Sequence, residues 1–319
     1  MSAAAGPGGL PAAPGPFLHP ALFYRDEAEY LDGTVPFVRE GLAAGEPVAV
    51  AVPGENLALI RDALGDDAAA VRLLDMREAG RNPGRIIPGV LRAFADAQPD
   101  APRVRIVGEP VWAGRSAAEY PACAQHEALI NAAFRGRAVT ILCPYGIRTL
   151  PERMLADAHA THPSVIPAGA RTARTSAAYA PDEVVARYNE PLPPVADAPS
   201  FPFVAETLTR ARHVAADEGR RLGLTGMRLE DLALATAELT TNSVVHGGGS
   251  GVLRVWPEGG RVVCEVRDGG RFTDPLAGRR PASRDQRGGR GLLMVNLIAD
   301  LVRLHAGEDG TTVRCWFTR

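Results

Sequence analysis

Between residues 47 and 146, apolar runs rich in β-branched side chains alternate with helical periods. "PVAVAVP" (47–53), "VRLLDM" (71–76), "RVRIVGEP" (103–110) and "AVTILCPYG" (138–146) read as strands. "ENLALIRDAL" (55–64), "GRIIPGVLRAFADA" (84–97) and "YPACAQHEALINAAF" (120–134) read as helices. Apolar strands separated by helices predict a mainly parallel sheet covered on both faces, an α/β domain. Polar groups just beyond such strands fall in the crevice where α/β sheets bind ligands.

The pattern then changes. Residues 167–200 are rich in Pro, Ala and Ser, with little sustained periodicity, and read as a linker extended around its prolines. "SFPF" opens a second domain. Two helical stretches follow, 204–223 and 228–246, separated by "LGLTGM". Strand-like "GVLRVWPE" (251–258) and "RVVCEVRDGG" (261–270) are joined by an "EGG" turn. A segment rich in glycine and arginine (269–291) leads into a helix, "GLLMVNLIADLV" (291–302), and the chain closes on a strand, "GTTVRCWFTR" (310–319). Helices gathered with an antiparallel sheet predict an α+β sandwich. The expected organisation is a disordered leader over 1–16, a first domain over 17–166, the linker, and a second domain over 201–319, with no internal repeat.

Composition narrows the function. A chain of 319 residues accommodates two domains with cores, and a net charge of -2 argues against a nucleic-acid binder. All 35 basic residues are arginine. Phosphate-loop NTPases and the common protein-kinase fold both place a lysine at the phosphates, so a chain without lysine is neither. Cys123, Cys143, Cys264 and Cys315 lie far apart with no C-x-x-C pair, as expected of buried reduced thiols in a cytosolic protein. No apolar run reaches the roughly 18 residues of a membrane span, and the amino terminus lacks the pattern of a signal peptide. The expected location is cytoplasmic, with no membrane partner.

Candidate chemistry concentrates in "ELTTNSVVHGGG" (238–249). At about 100° per residue, Glu238, Asn242 and His246 share one flank of a helix. Leu232, Leu234, Ala235, Ala237, Leu239, Val244 and Val245 surround most of that helix, so it is expected to be largely buried. Two readings are open. An amide oxygen suits magnesium and a carboxylate one turn earlier suits proton abstraction. Alternatively Glu238 pairs with an arginine and Asn242 caps a turn. His246 reads as a helix-end core histidine rather than a catalytic one. Asp268 ends a strand before Gly269 and Gly270, Gly288, Gly289 and Gly291 precede an apolar helix, and "GTTVR" sets two hydroxyls on the last strand. Each is weak alone: a turn, a helix start able to attract phosphate, and β-formers.

In this order, residues 201–319 resemble the GHKL (HATPase) ATP-binding fold of histidine kinases and gyrase. "ELTTNSVVHGG", "VRDGG", "GGRGL" and "GTTV" are similar to its four nucleotide-binding boxes. Within that fold the likeness is to anti-sigma factor serine kinases. The resemblance implies ATP and Mg2+ as cofactors, with Asn242 on magnesium and Glu238 as general base. It implies that Asp268 reads the adenine amino group with Gly270 making room, that Gly289, Arg290 and Gly291 close over the phosphates, and that Thr312 lies near adenine. An arginine of 271–287 is expected at the γ-phosphate. The implied partner is an anti-anti-sigma (STAS-type) protein, with a sigma factor as the alternative, in transcription regulation, and homodimerisation accompanies the family. Two alternatives differ in class: a non-catalytic, ATP-dependent module that sequesters a partner, and an orphan sensor histidine kinase. A histidine kinase needs a phosphoacceptor histidine on a helical hairpin, whereas a Pro-rich segment precedes this domain and His213 lies within its first helix.

Residues 17–166 resemble the MEDS sensory domain, on "HPALFYRDEAEYLDGTVPFVREGLAAGEPVAVAVP", "GEPVW", "HEALIN", "LCPYG" and "THPSVI". The resemblance implies a P-loop-ATPase-like core without the P-loop, and "AVPGENLAL" indeed lacks a Gly-Lys-Ser/Thr ending. The chain departs from the family's Cys-Pro-Tyr-Asp at Gly146. His19, Glu109, Trp112, His126, Glu127, Cys143, Tyr145 and His162 are the candidate pocket for an unknown small-molecule signal. Their plainer readings are core packing for Cys143 and Trp112 and a helix polar contact for His126. His159 and His162 with a cysteine have loop-like spacing and are not taken as a metal site.

Overall fold

Val48, Val50 and Val52 of one strand face a core while Ala49 and Ala51 face the opposite side, and all five are buried. Burial on both faces is what a parallel sheet requires, and it explains the unbroken apolar runs. The strands of the first unit are β1 (Phe17–Leu18), β2 (Pro20–Tyr24), β3 (Val48–Val52), β4 (Val71–Asp75), β5 (Val104–Gly108), β6 (Val139–Gly146), β7 (Ser164–Ile166) and β8 (Arg174–Thr175). Their order is β4-β3-β5-β6-β2-β7-β8, with β1 beside β6 and only the β7–β8 pair antiparallel. Helices α1 (Glu27–Ala43) and α2 (Gly54–Leu64) pack on the valine face. The unit also contains α3 (Met76–Ala79), α4 (Ala93–Asp96), α5 (Tyr120–Ala133), α6 (Glu152–Thr161) and α7 (Pro181–Arg187).

The structure, a computed structural model, describes residues 16–195, 197–282 and 289–319. The expectation of a disordered leader falls on 1–16, of which 1–15 lie outside the described residues. Two expectations change. The helix expected over 84–97 is a 3-10 turn at Pro83–Arg85, a π-helical turn at Ile87–Arg92, then α4. Pro88 lacks the N–H that a regular α-helix over 84–97 would donate to Gly84 O. Residues 167–188 are no loose linker. Asp157 of α6 accepts hydrogen bonds from the hydroxyls of Tyr120 (2.6 Å) and Tyr188 and from Arg187 Nη1 (2.6 Å), which fixes α7. The first unit runs to Arg81 and resumes over Gly89–Tyr188; the second comprises Asn82–Pro88 and Asn189–Arg319.

The second unit holds β9 (Ser200–Val204), α8 (Leu208–Arg221), α9 (Gly226–His246), β10 (Ser250–Glu258), β11 (Arg261–Asp268), α10 (Gly291–Ile298), β12 (Leu301–Gly307) and β13 (Gly310–Thr318). The five strands form an antiparallel sheet in the order β12-β13-β11-β10-β9. Val262, Cys264 and Val266 of β11, with Val313, Cys315 and Phe317 of β13, form one core with Ala211, Leu232, Ala235, Leu239 and Val295 of the helices. Each such fully buried Val or Leu contributes roughly 1.5–3 kcal/mol. The alternate positions Glu265 and Arg314 pair across the other face, and Arg314 also donates to Pro193 O (2.8 Å). The helix expected to reach residue 302 stops at Ile298. Ala299 turns extended and Asp300 N donates to Trp316 O (2.9 Å), so 301–307 become a strand. Nor is α9 buried all round: Leu234 is 38% and Val245 64% exposed.

Candidate functional site

Helix α9 carries Glu238 and Asn242 on successive turns, and the first residue of α10 is Gly291. A β-carbon at Gly291 would lie 2.5 Å from Glu238 Oε2 and 3.3 Å from Asn242 Nδ2. Glycine therefore lets the start of α10 close on this polar pair. Asp268, the last residue of β11, is fixed twice: Oδ1 accepts from Gly270 N (2.8 Å) and Oδ2 from the Ser243 hydroxyl (2.6 Å). Three glycines surround it. A β-carbon at Gly247 would meet Asp268 Cγ at 2.4 Å, one at Gly270 would meet Gly247 Cα at 2.5 Å, and one at Gly310, where φ is +119°, would meet Asp268 O at 2.0 Å.

Asn242, Ser243, Gly247, Asp268, Gly270 and Gly291 border a cavity of about 370 Å³, within the roughly 300–1,000 Å³ usual for ligand pockets. Asn242, Asp268, Gly270, Gly289 and Gly291 line it, with Leu239, Val266, Leu292, Leu304 and Val313 as its apolar wall. The donor set fits Mg-ATP. The apolar wall suits a purine ring, a carboxylate oriented by two donors has lone pairs left to accept from an amino group, and an amide oxygen is a hard ligand. Helix α10 begins at Gly291, where backbone N–H groups favour phosphate.

Three expected residues fall outside the cavity lining: Glu238, Arg290 and Thr312. Thr312 pairs with Arg267 and His305 and belongs to the sheet face away from the helices, whereas Thr311 lines the cavity and donates to Gly270 O (2.8 Å). Arg290 is exposed, caps α10, and is not among the residues lining the cavity. His246 is exposed at the cavity wall instead of in the core. Of the arginines expected over 271–287, Arg271 lines the cavity and Arg280 pairs with Asp274. Positions 283–287 and Gly288 lie outside the described residues. Sequence reasoning missed Ser243, Gly247 and Thr311; a buried serine directly after Asn242 was the available signal.

The first-unit candidates separate into two groups. Glu109 opens onto a crevice of about 540 Å³ beyond the ends of β3, β5 and β6, with Tyr24, Asn56, Arg77, Trp112 and Gly146. Its carboxylate accepts from Asn56 Nδ2 (2.8 and 3.0 Å) and from the Tyr30 hydroxyl (3.1 Å). Burial pushes Glu109 up to about 8, with the Asn56 and Tyr30 hydrogen bonds pulling the other way. Burial likewise raises the Tyr24 and Tyr30 hydroxyls, helped by the Glu109 charge. The turn from β3 into α2 is too short to wrap a phosphate. A β-carbon at Gly54 would strike Arg77 Nη2 at 2.0 Å and Asp75 Oδ2 at 2.7 Å, so that ion pair covers the helix start. At Gly146 a side chain would meet the Tyr24 hydroxyl at 3.1 Å.

The second group is buried. His19 Nε2 and His162 Nε2 each lie 3.3 Å from Glu127 Oε2, and Cys143 Sγ lies 3.4 Å from His19 Nε2. Cys143 is thus more than core packing. Tyr145 meets the His162 ring edge-on at 5.4 Å, His126 is buried on α5, and His159 stacks on Phe23 outside the group.

No curated protein matches the chain. Residues 18–163 match the family model described as MEDS, the methanogen/methylotroph DcmR sensory domain. Residues 201–317 match the one described as the histidine kinase-like ATPase domain. Asn242, Asp268 and the glycines around them lie within the second match, and both residue groups of the first unit lie within the first. The chain is therefore a MEDS sensory domain followed by a histidine kinase-like ATPase domain, an ATP-binding regulatory protein.

Proposed function

We propose that the second domain is a protein serine/threonine kinase of the anti-sigma-factor type, controlled by a small molecule held in the MEDS domain. The observation that carries this reading is the meeting of Asn242 and Gly291 at the cavity that Asp268 also lines, with Glu238 against Gly291 but outside the cavity lining. Bound Mg-ATP supplies a transferable phosphoryl group and a cation that neutralises its oxygens. Asp268 accepts from the base amino group, and Asn242 offers its amide oxygen to magnesium. Glu238, one turn before Asn242, takes the proton of the acceptor hydroxyl. Arg271 provides positive charge in the cavity. The partner is an anti-anti-sigma protein of the STAS type or a sigma factor, and the output is transcription regulation. A histidine kinase is disfavoured because the described residues of 167–200 carry β8, α7 and the start of β9, with no helical hairpin.

Incubation with γ-labelled ATP, Mg2+ and STAS-type partners tests this. Acid-stable label should appear on the partner and fall about 10²–10⁴-fold in Glu238→Gln with nucleotide affinity retained. Asn242→Ala should lose Mg-dependent binding; Mg-ATP affinity equal to the wild type's would sink the site. Binding without transfer to any partner would leave a sequestering module, and acid-labile self-labelling would indicate a histidine kinase.

A further inference from the structure

We propose that His19, Glu127, Cys143 and His162 form a closed, tetrahedral site for a divalent transition-metal ion of the zinc class. Their ligand atoms all lie within 4.8 Å of one another, and all four residues are at most 1% exposed. They come from four places in the fold: His19 between β1 and β2, Glu127 on α5, Cys143 on β6, and His162 at the end of α6. For a tetrahedron with metal–nitrogen and metal–oxygen bonds near 2.0–2.1 Å and metal–sulfur near 2.3 Å, the edges are about 3.3 Å for N–O and about 3.6 Å for N–S. Three of the six edges are 3.3, 3.3 and 3.4 Å, and the other three are no longer than 4.8 Å.

Proton bookkeeping points the same way. His162 Nδ1 lies 2.8 Å from Ala158 O, which only accepts, so Nδ1 carries the proton. His19 Nδ1 lies 3.2 Å from Asn131 Oδ1. That amide is oriented because its Nδ2 donates to the Thr161 (2.8 Å) and Ala128 (3.1 Å) carbonyls, so His19 Nδ1 carries a proton as well. Two neutral rings then aim Nε2 lone pairs at a carboxylate oxygen. Protonating one ring pairs it with Glu127 but buries an ion pair with the second lone pair still facing the same oxygen. Protonating both places two imidazoliums with ring centres 4.0 Å apart in the interior. Among the described residues, neither Glu127 oxygen nor His162 Nε2 makes a well-aligned hydrogen bond, so the 3.3 Å approaches hold together only where a ring is protonated or an ion lies between them. The Cys143 thiol can satisfy the His19 lone pair alone.

A divalent cation removes each conflict. Both Nε2 lone pairs, one carboxylate oxygen and the thiolate point at positive charge. The charges of the ion, Cys143 and Glu127 sum to zero, which is what burial requires. The Asn131 and Ala158 contacts become the outer hydrogen bonds that set imidazole tautomers at metal centres. A donor set of two nitrogens, one sulfur and one oxygen selects zinc-class ions over magnesium and calcium, which prefer oxygen alone. Four protein ligands leave no open position, so the ion staples the domain together.

Metal analysis of the full chain, expressed with zinc and extensively dialysed, should find about one zinc per chain. Refolding the stripped chain with cobalt(II) should give the visible bands of a tetrahedral centre and a sulfur-to-cobalt charge-transfer band. Cys143→Ser should remove the charge-transfer band, and His162→Ala should lose most of the bound metal, both with ATP binding retained. Should those variants fail to fold, the wild-type chain decides. Zinc well below one per chain together with no tetrahedral cobalt spectrum overturns the proposal. ATP binding reads the other domain separately, so either assignment can fail without the other.

Discussion

The Glu109 carboxyl, held by Asn56 and Tyr30 and pushed up to about 8 by burial, stays protonated where an ordinary carboxyl near 4.5 has ionised. Its contribution to stability is therefore complete below about pH 4.5 and is lost as the pH rises through about 8. Glu109→Gln keeps the shape without the titration. Its urea stability should gain on the wild type by on the order of 4 kcal/mol from acid to mildly alkaline pH. Parallel pH profiles for the two proteins would remove Glu109 as the titrating group. Single residues also show what a sequence can carry. Asn242, Asp268, Gly270 and Gly291 were legible because helix spacing and glycine context are local. Thr311 was not told from Thr312, because adjacent strand residues face opposite sides and only the pairing of Thr311 with Asp268 chooses between them. Ser243 acquires its role from Asp268, 25 positions on. The residues around Glu127 are separated by most of the domain's length, so no local spacing could gather them.

Among elements, α7 is the clearest case of structure made by tertiary contact. A seven-residue helix is too short to persist alone, and this one sits in a Pro- and Ala-rich stretch that read as linker. What holds it is Asp157, bonded to Tyr120, Tyr188 and Arg187. Asp157→Ala leaves two tyrosine hydroxyls without that acceptor and should cost roughly 2–4 kcal/mol. Denaturant unfolding measures the loss, and amide exchange should quicken over 181–188. A change below about 1 kcal/mol would mean that packing alone holds the helix. The α10–β12 boundary was missed for a related reason. "GLLMVNLIADLV" is apolar throughout, so periodicity cannot say where helix becomes strand; the Asp300–Trp316 backbone bond does.

Across the whole molecule, the absence of lysine has a chemical consequence. With all 35 basic side chains arginine, amine-acylating reagents have no side-chain target. Acylation should leave ATP affinity unchanged, whereas a dicarbonyl reagent directed at guanidinium groups should lower it, with protection by Mg-ATP. Isothermal titration before and after each treatment reads the difference. Loss of binding on acylation would contradict a site that uses Arg271. The second sheet carries one more consequence at this scale. Its outer strands are β12 and β9, and β12 does not present a bare edge. The Asn189 side chain accepts from Ala306 N (2.9 Å) and donates to Ala306 O (2.7 Å), while Asn189 O lies 2.9 Å from His305 Nδ1. At the other margin Pro202 removes a donor from β9. An unpaired row of backbone groups is a template for another chain, so a single asparagine clip and one proline act as protection against edge-to-edge aggregation.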